Sequence, residues 1–182
     1  MLLSAREGLL VVVDMQARLV PVLADPEGLS ARVQFLLRAA AQLSVPVVAS
    51  EQYPKGLGHT VPEVADYLPE GAVVEKMTFS AMREPAFRDA LETRGAGRKQ
   101  AIVCGAETHV CVLQTAAELA AAGYATTLVA DAVGSRRESD RTAGLERLRD
   151  LGCQVATSEM VVFEWLERAG TDAFRRLAPL IK

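Results

Sequence analysis

A carboxylate, an ammonium and a thiol stand near the ends of three apolar runs in this chain. Asp14 follows Leu9 to Val13, Lys76 closes Ala72 to Glu75, and Cys111 comes shortly after Ala101 to Cys104, in Gly105-Ala106-Glu107-Thr108-His109-Val110-Cys111. A thiol with a base to take its proton and a cation to balance the charge suffices for nucleophilic acyl transfer. Each residue alone also has a plainer reading. Asp14 would serve equally to tie down a turn, Lys76 to lay its stem along apolar neighbours with its head in water, and Cys111 to fill the core. Place distinguishes Cys111, because Val112, Leu113, Ala116, Ala117, Leu119 and Ala120 keep helical spacing after it. It is expected in the first turn of a helix, where free N–H groups and the dipole favour thiolate. Cys104 lies inside a strand and Cys153 just before one, so both read as small buried hydrophobes. His109 stands two residues from Cys111 and points to a different side of the helix, while His59 lies in a loop that could approach the site. Two histidines and no CxxC pair make no zinc site of the usual kind. The base must then be a carboxylate, and Asp14 is the one placed for it.

Those positions need elements to hold them. Six short β-branched runs recur: Leu9 to Val13, Val45 to Ala49, Ala72 to Glu75, Ala101 to Cys104, Thr126 to Ala130 and Gln154 to Thr157. Each reads as a strand buried on both faces. Between them come segments of helical spacing: Val33 to Leu43 opened by Asp25-Pro26, Glu84 to Thr93, Thr108 to Ala122, Ser139 to Leu151, and Glu159 to Lys182 interrupted near Gly170-Thr171. Strand and helix alternate throughout, which predicts a single α/β domain over residues 1–182. It would be a three-layer, doubly wound, Rossmann-like fold with a six-stranded, mostly parallel sheet. Such sheets bind ligands past the carboxyl ends of their strands, where Asp14, Glu51, Lys76, Gly105 to Cys111 and Asp131 fall. The long segment Ser50 to Pro69 reads as a loop lining that edge.

Composition narrows the partners. The 182 residues carry a net charge of −3 with 50% hydrophobic and 24% charged residues, the balance of a globular domain. Without a basic block, neither nucleic acid nor an anionic membrane is expected as the main partner, which leaves small molecules and other proteins. The apolar run from Gly8 to Val13 is far too short to span a membrane and has no cleavage pattern after it. Three cysteines make no disulfide framework and suit a reducing cytoplasm.

Asp14 in Val-Asp-Met-Gln, Lys76 in Glu-Lys-Met-Thr-Phe-Ser-Ala and Cys111 in Cys-Gly-Ala-Glu-Thr-His-Val-Cys-Val together resemble the isochorismatase-like cysteine hydrolases. The similarity runs in order along essentially the whole chain. It is strongest to the isochorismatase domain-containing subgroup, which shares segments like Glu-Gln-Tyr-Pro-Lys-Gly-Leu-Gly and Ser-Glu-Met-Val-Val-Phe-Glu. The resemblance implies an Asp14/Lys76/Cys111 triad, no cofactor, and a non-proline cis peptide at Ala106-Glu107. That bond would turn the Glu107 N–H toward the oxyanion beside the Cys111 N–H. Gln16, Tyr53, His59, Phe79 and His109 are the expected substrate-pocket residues.

Two departures narrow the activity. Metal-dependent nicotinamidases of the superfamily carry an Asp-x-His motif and further histidines after the second strand, where this chain has Glu51-Gln52-Tyr53; no metal is expected. True isochorismatases lack the thiol retained at Cys111. The expectation is a cytoplasmic, metal-independent hydrolase of a small amide, ureide or related acyl substrate, working through a thioester. A redox-responsive protein or a scaffold oligomer would need Cys111 or the helices, but not Asp14 and Lys76. A dimer or tetramer is expected, as Met160, Val161, Val162, Phe163, Trp165 and Leu166 leave one helix apolar over much of its circumference.

Overall fold

In a computed structural model, which describes residues 1–181, every strand among the described residues joins one six-stranded sheet. The strands are β1 (Gly8–Val13), β2 (Val47–Gln52), β3 (Val73–Lys76), β4 (Gln100–Ala106), β5 (Ala125–Gly134) and β6 (Gln154–Ala156), in the spatial order β3-β2-β1-β4-β5-β6. All ladders between them are parallel. The chain winds outward from β1 to β3, returns to the centre at β4, and winds outward the other way. The direction therefore reverses between β1 and β4, and a crevice opens there at the carboxyl edge.

Side chains of β1 alternate between two cores. Leu10 and Val12 face the layer that includes α1 (Pro26–Leu43), while Leu9, Val11 and Val13 face the opposite one. Beyond α1 come two short helices, α2 (Pro54–Leu57) and α3 (Pro62–Ala65), then α4 (Pro85–Gly95), α5 (Leu113–Ala121), α6 (Glu138–Asp150), α7 (Ser158–Leu166) and α8 (Asp172–Leu177). Helices α1, α7 and α8 contribute to the first core, and α4, α5 and α6 to the second. Local chemistry sets their ends. Asp25 accepts from the Gly28 N–H at 3.0 Å ahead of Pro26, a cap worth about 1 kcal/mol, and Thr157 and Thr171 accept from the N–H groups of Met160 and Phe174.

The structure corrects several expectations. Only the inner strands are buried on both faces; β3 and β6 are edges with half-exposed residues, because nothing flanks them on one side. The segment after β2 is no open loop: β2 runs on to Gln52 and α2 and α3 follow. Glu51 consequently lies within β2. Asp131 lies within β5, where the pairing jumps from Val103↔Leu128 to Gly105↔Val133 and the extra residues arch out of the ladder. In that arch the Asp131 carboxylate accepts from the Ser158 N–H at 2.7 Å and hydroxyl at 2.6 Å, fixing the start of α7. The bond Ala106-Glu107 is trans, since the described residues contain no cis peptide, and the chain turns there through the left-handed φ of 60° at Glu107. Within α7, Val161, Val162, Trp165 and Leu166 bury themselves in their own domain, leaving Met160 and Phe163 outward.

Candidate active site

Asp14 directly follows β1 at a left-handed φ of 50°, a conformation that Asp tolerates better than most residues. Its N–H donates to Ser50 O, and its Oδ1 accepts from the Ser50 hydroxyl at 2.7 Å, so β2 fixes both its backbone and its carboxylate. Lys76 ends the edge strand β3 and reaches back across β2. Its Nζ lies 2.8 Å from Asp14 Oδ2 and 2.7 Å from Gln52 Oε1, and donates to the carbonyls of Thr78 and Phe79 at 3.2 Å each. Both side chains of this ion pair are fully buried, which is tolerable only because the ammonium has four acceptors and the carboxylate two donors. A surface lysine would show none of this.

Cys111 approaches from the other side of the crevice. The chain leaves β4 at Ala106 and turns at Glu107 into one wide i→i+5 turn, Thr108–Val112, before α5 begins. Close approach of β4 to β1 dictates the glycine ahead of that turn. Gly105 has φ +127°, and a Cβ there would sit 2.1 Å from Val13 O. The Cys111 thiol lies within hydrogen-bonding reach of both Asp14 and Lys76. Burial, and next the Asp14 carboxylate, push its pKa up to about 12 against a smaller opposing pull from Lys76. The expected resting thiolate is therefore corrected. Burial and the Asp14 carboxylate oppose the anion that a first-turn position would favour. Cys104 and Cys153 are buried as expected, and burial raises both their pKa values as well.

The five expected pocket residues have different fates. Gln16 is fully buried and acts as a latch: its Nε2 donates to Gln52 O and Gly58 O, and its Oε1 accepts from the Gln52 N–H. Tyr53 and Phe79 are exposed at the rim, where Tyr53 helps line a cleft of about 370 Å³ with Lys76, Met77 and Glu84. His59 points to solvent with its Nδ1 2.9 Å from Glu51 Oε2, while Glu51 Oε1 accepts from the Thr60 N–H and hydroxyl. Those bonds outweigh burial and lower the Glu51 pKa, and the Glu51 bond raises that of His59. His109 lies within the turn, with its Nδ1 3.0 Å from Ser135 Oγ. Sequence reasoning missed Ser50 and Gln52, which hold the two charged groups; their places at the carboxyl end of β2, beside Asp14 and Lys76, were the available signal. Among the described residues no three His, Cys, Asp or Glu side chains gather as metal ligands, and no helix is long and apolar enough to cross a membrane.

The model of the isochorismatase domain matches residues 8–160. The chain belongs to the isochorismatase family. It is a hydrolase of that family. It is 34% identical over 179 residues to isochorismatase domain-containing protein 2 of Danio rerio, covering 98% of this chain and 89% of that one. A solved structure described as the MAR1 ribonuclease of Caenorhabditis elegans superposes with a TM-score of 0.91 at 32% identity, covering 100% of this chain and 92% of the other. The YcaC gene product of Escherichia coli, described as an octameric hydrolase of unknown specificity, shares the fold with a TM-score of 0.92 at 24% identity, over 99% and 90% of the two chains.

Proposed function

We propose that this isochorismatase-family hydrolase is a cysteine hydrolase of small amides, ureides or related acyl compounds, with Cys111 as nucleophile and Asp14 and Lys76 completing the triad. The observation that carries this reading is a buried Asp14–Lys76 ion pair within reach of the only thiol at the crevice. Asp14 takes the thiol proton as the sulfur attacks the substrate carbonyl, so the thiolate forms only when it is used. The oxyanion then meets the backbone N–H of Cys111, a donor worth about 3 kcal/mol; with Ala106-Glu107 trans, the expected turning of the Glu107 N–H toward it loses its ground. As the tetrahedral adduct collapses, the C–N bond breaks, Asp14 returns the proton to the leaving amine, and the acyl group stays on sulfur. Water, deprotonated by Asp14, then cleaves the thioester and restores the thiol. Lys76 holds the carboxylate in place and balances the negative charge in each state. Every step draws on side chains, backbone N–H and water, so activity is expected to survive chelation.

The test is a screen of small amides, ureides and carbamates against the intact and the Cys111-alkylated chain, with the acyl-enzyme trapped and weighed by mass spectrometry. An acyl group on Cys111 supports the reading, and full turnover by the alkylated chain refutes it. Cys111 should also label with iodoacetamide before Cys104 and Cys153, at a rate that keeps rising above pH 9 as the raised pKa requires. Likeness to a structure described as a ribonuclease supports a second reading, phosphodiester cleavage. A net charge of −3 and an ammonium already neutralised by Asp14 weigh against it, and single-stranded RNA in the same screen decides.

We also place the chain in the cytoplasm as a homo-oligomer of two or four copies. Exposed Met77, Phe79 and Tyr53 at the site's rim, and Met160 and Phe163 on α7, support the assembly. A neighbour seated on that rim would complete the pocket wall.

A further inference from the structure

Three consecutive residues ahead of Cys111 are each gripped by the segment that ends β5 and begins α6. Arg136 Nη2 donates to Glu107 Oε2 at 3.2 Å, and its Nε stands 3.2 Å from Oε1 as an ionic contact. Gly144 presses against Thr108, where a Cβ would come within 3.1 Å of the Thr108 carbonyl oxygen. Ser135 Oγ lies 3.0 Å from His109 Nδ1, and His109 Nε2 approaches Glu107 Oε2 at 3.7 Å and Asp140 Oδ2 at 4.0 Å. Glu107 is the point of strain in this stretch. It is buried, carries a carboxylate, and holds a φ of 60° that costs a non-glycine residue about 1–2 kcal/mol. A carboxylate buried there without its partner would be free to pull the backbone toward water.

We propose that Arg136 is a positioning residue: by holding the Glu107 carboxylate along one guanidinium edge it fixes the Glu107 backbone, whose carbonyl accepts from the Val110 and Val112 N–H groups at 2.9 and 3.3 Å, and so fixes the turn that offers the Cys111 N–H to the oxyanion. This inference rests on the cysteine reading of the site. Arginine suits the task because its planar fork fixes a carboxylate in direction as well as distance, whereas lysine offers a point charge. Arg136 is itself more than half exposed, so its place in the molecule is explained by Glu107 and not by core packing.

Two reagents separate positioning from general loosening. 4-Nitrophenyl acetate acylates the thiol: Asp14 takes the thiol proton, a sulfur–acyl bond forms, the ester C–O bond breaks, 4-nitrophenolate leaves, and an oxyanion appears on the way. Iodoacetamide alkylates the same sulfur by displacing iodide, with no oxyanion. The probe ester is neutral, so a direct role for Arg136 in holding an anionic substrate does not enter. Arg136→Met is expected to slow the acylation burst by roughly ten- to a hundredfold while leaving the alkylation rate unchanged. Arg136→Lys should recover part of the loss, and Arg136→Met/Glu107→Gln, which removes the buried charge and keeps the fold testable, should be no slower than Arg136→Met alone. Equal slowing of both reactions, or no slowing of either, overturns the proposal. A wild-type chain that is alkylated but never acylated at Cys111 instead overturns the cysteine reading, and the positioning role with it.

Discussion

Lys76→Met is the most informative single perturbation of this molecule. The methionine keeps the stem's volume and removes an ammonium with four acceptors, Asp14 and Gln52 at 2.8 and 2.7 Å and two carbonyls at 3.2 Å. Asp14 would retain the Ser50 hydroxyl and the nearby Cys111 thiol but no cation, in a fully buried setting. Stranding one partner of a buried pair typically costs about 3–5 kcal/mol, a large share of the roughly 5–15 kcal/mol that holds a domain together. For a chain of this size the melting temperature should fall by about 10 °C. Asp14→Asn/Lys76→Met removes both charges, keeps a residue that tolerates φ near 50°, and preserves a partner for Ser50. Its cost should therefore fall short of the sum of the single variants by about 2 kcal/mol. Urea unfolding of the four proteins closes the cycle. Strict additivity, or a Lys76→Met chain within about 0.5 kcal/mol of wild type, would refute the claim that this pair is one buried unit. All three variants should lose turnover.

At Gly105, alanine would meet Val13 backbone atoms at 2.1 and 2.6 Å, so Gly105→Ala should destabilise by about 3–5 kcal/mol or prevent folding. Gly123→Ala is the control, with φ +85° and open space around it, and should cost only about 1 kcal/mol in the same urea titration. The His59 imidazole should titrate above its ordinary value of about 6.5, and Glu51→Gln should bring it back down, as followed by NMR. Because that pKa is raised, the ionic part of the contact is fully present below pH 6.5 and is lost as the pH rises through the raised midpoint; the Thr60 bonds to Glu51 persist. Sedimentation at micromolar concentration should give a species larger than 19.5 kDa, and Phe79→Glu should shift it toward the single chain.

What the sequence disclosed follows from where its signals are local. A strand buried on both faces must be apolar along its whole length, so Leu9 to Val13 and Ala101 to Cys104 announce themselves, and the polar residues that follow mark the carboxyl edge. Asp14, Lys76 and Cys111 were found that way. The arch in β5 was not, because Asp131 interrupts the apolar run and the register jump depends on β4 alongside. Gln16 reads locally as a pocket residue, yet its partners lie 36 and 42 residues away, and only the folded chain shows that they occupy every part of its amide. The protonated state of Cys111 was equally out of reach. A first-turn thiol predicts activation, and the deciding influences are burial and a carboxylate from another strand.

The edge strand β3 gives the Lys76 contact a second consequence. That strand pairs with the sheet through four residue positions on one side only, and three of its four residues are partly or fully open to water. Its firmest hold on the domain is the ammonium threaded across β2 to Asp14. The chemistry and the anchoring of this edge are one contact, so a descendant of this gene could not discard either charge of the pair alone without losing stability. Drift away from catalysis would first have to pass through a less stable ancestor or replace both charges together. Selection for a stable fold alone would thus preserve the Asp14–Lys76 pair, and persistence of that pair in a lineage is weaker testimony to continued turnover than persistence of Cys111.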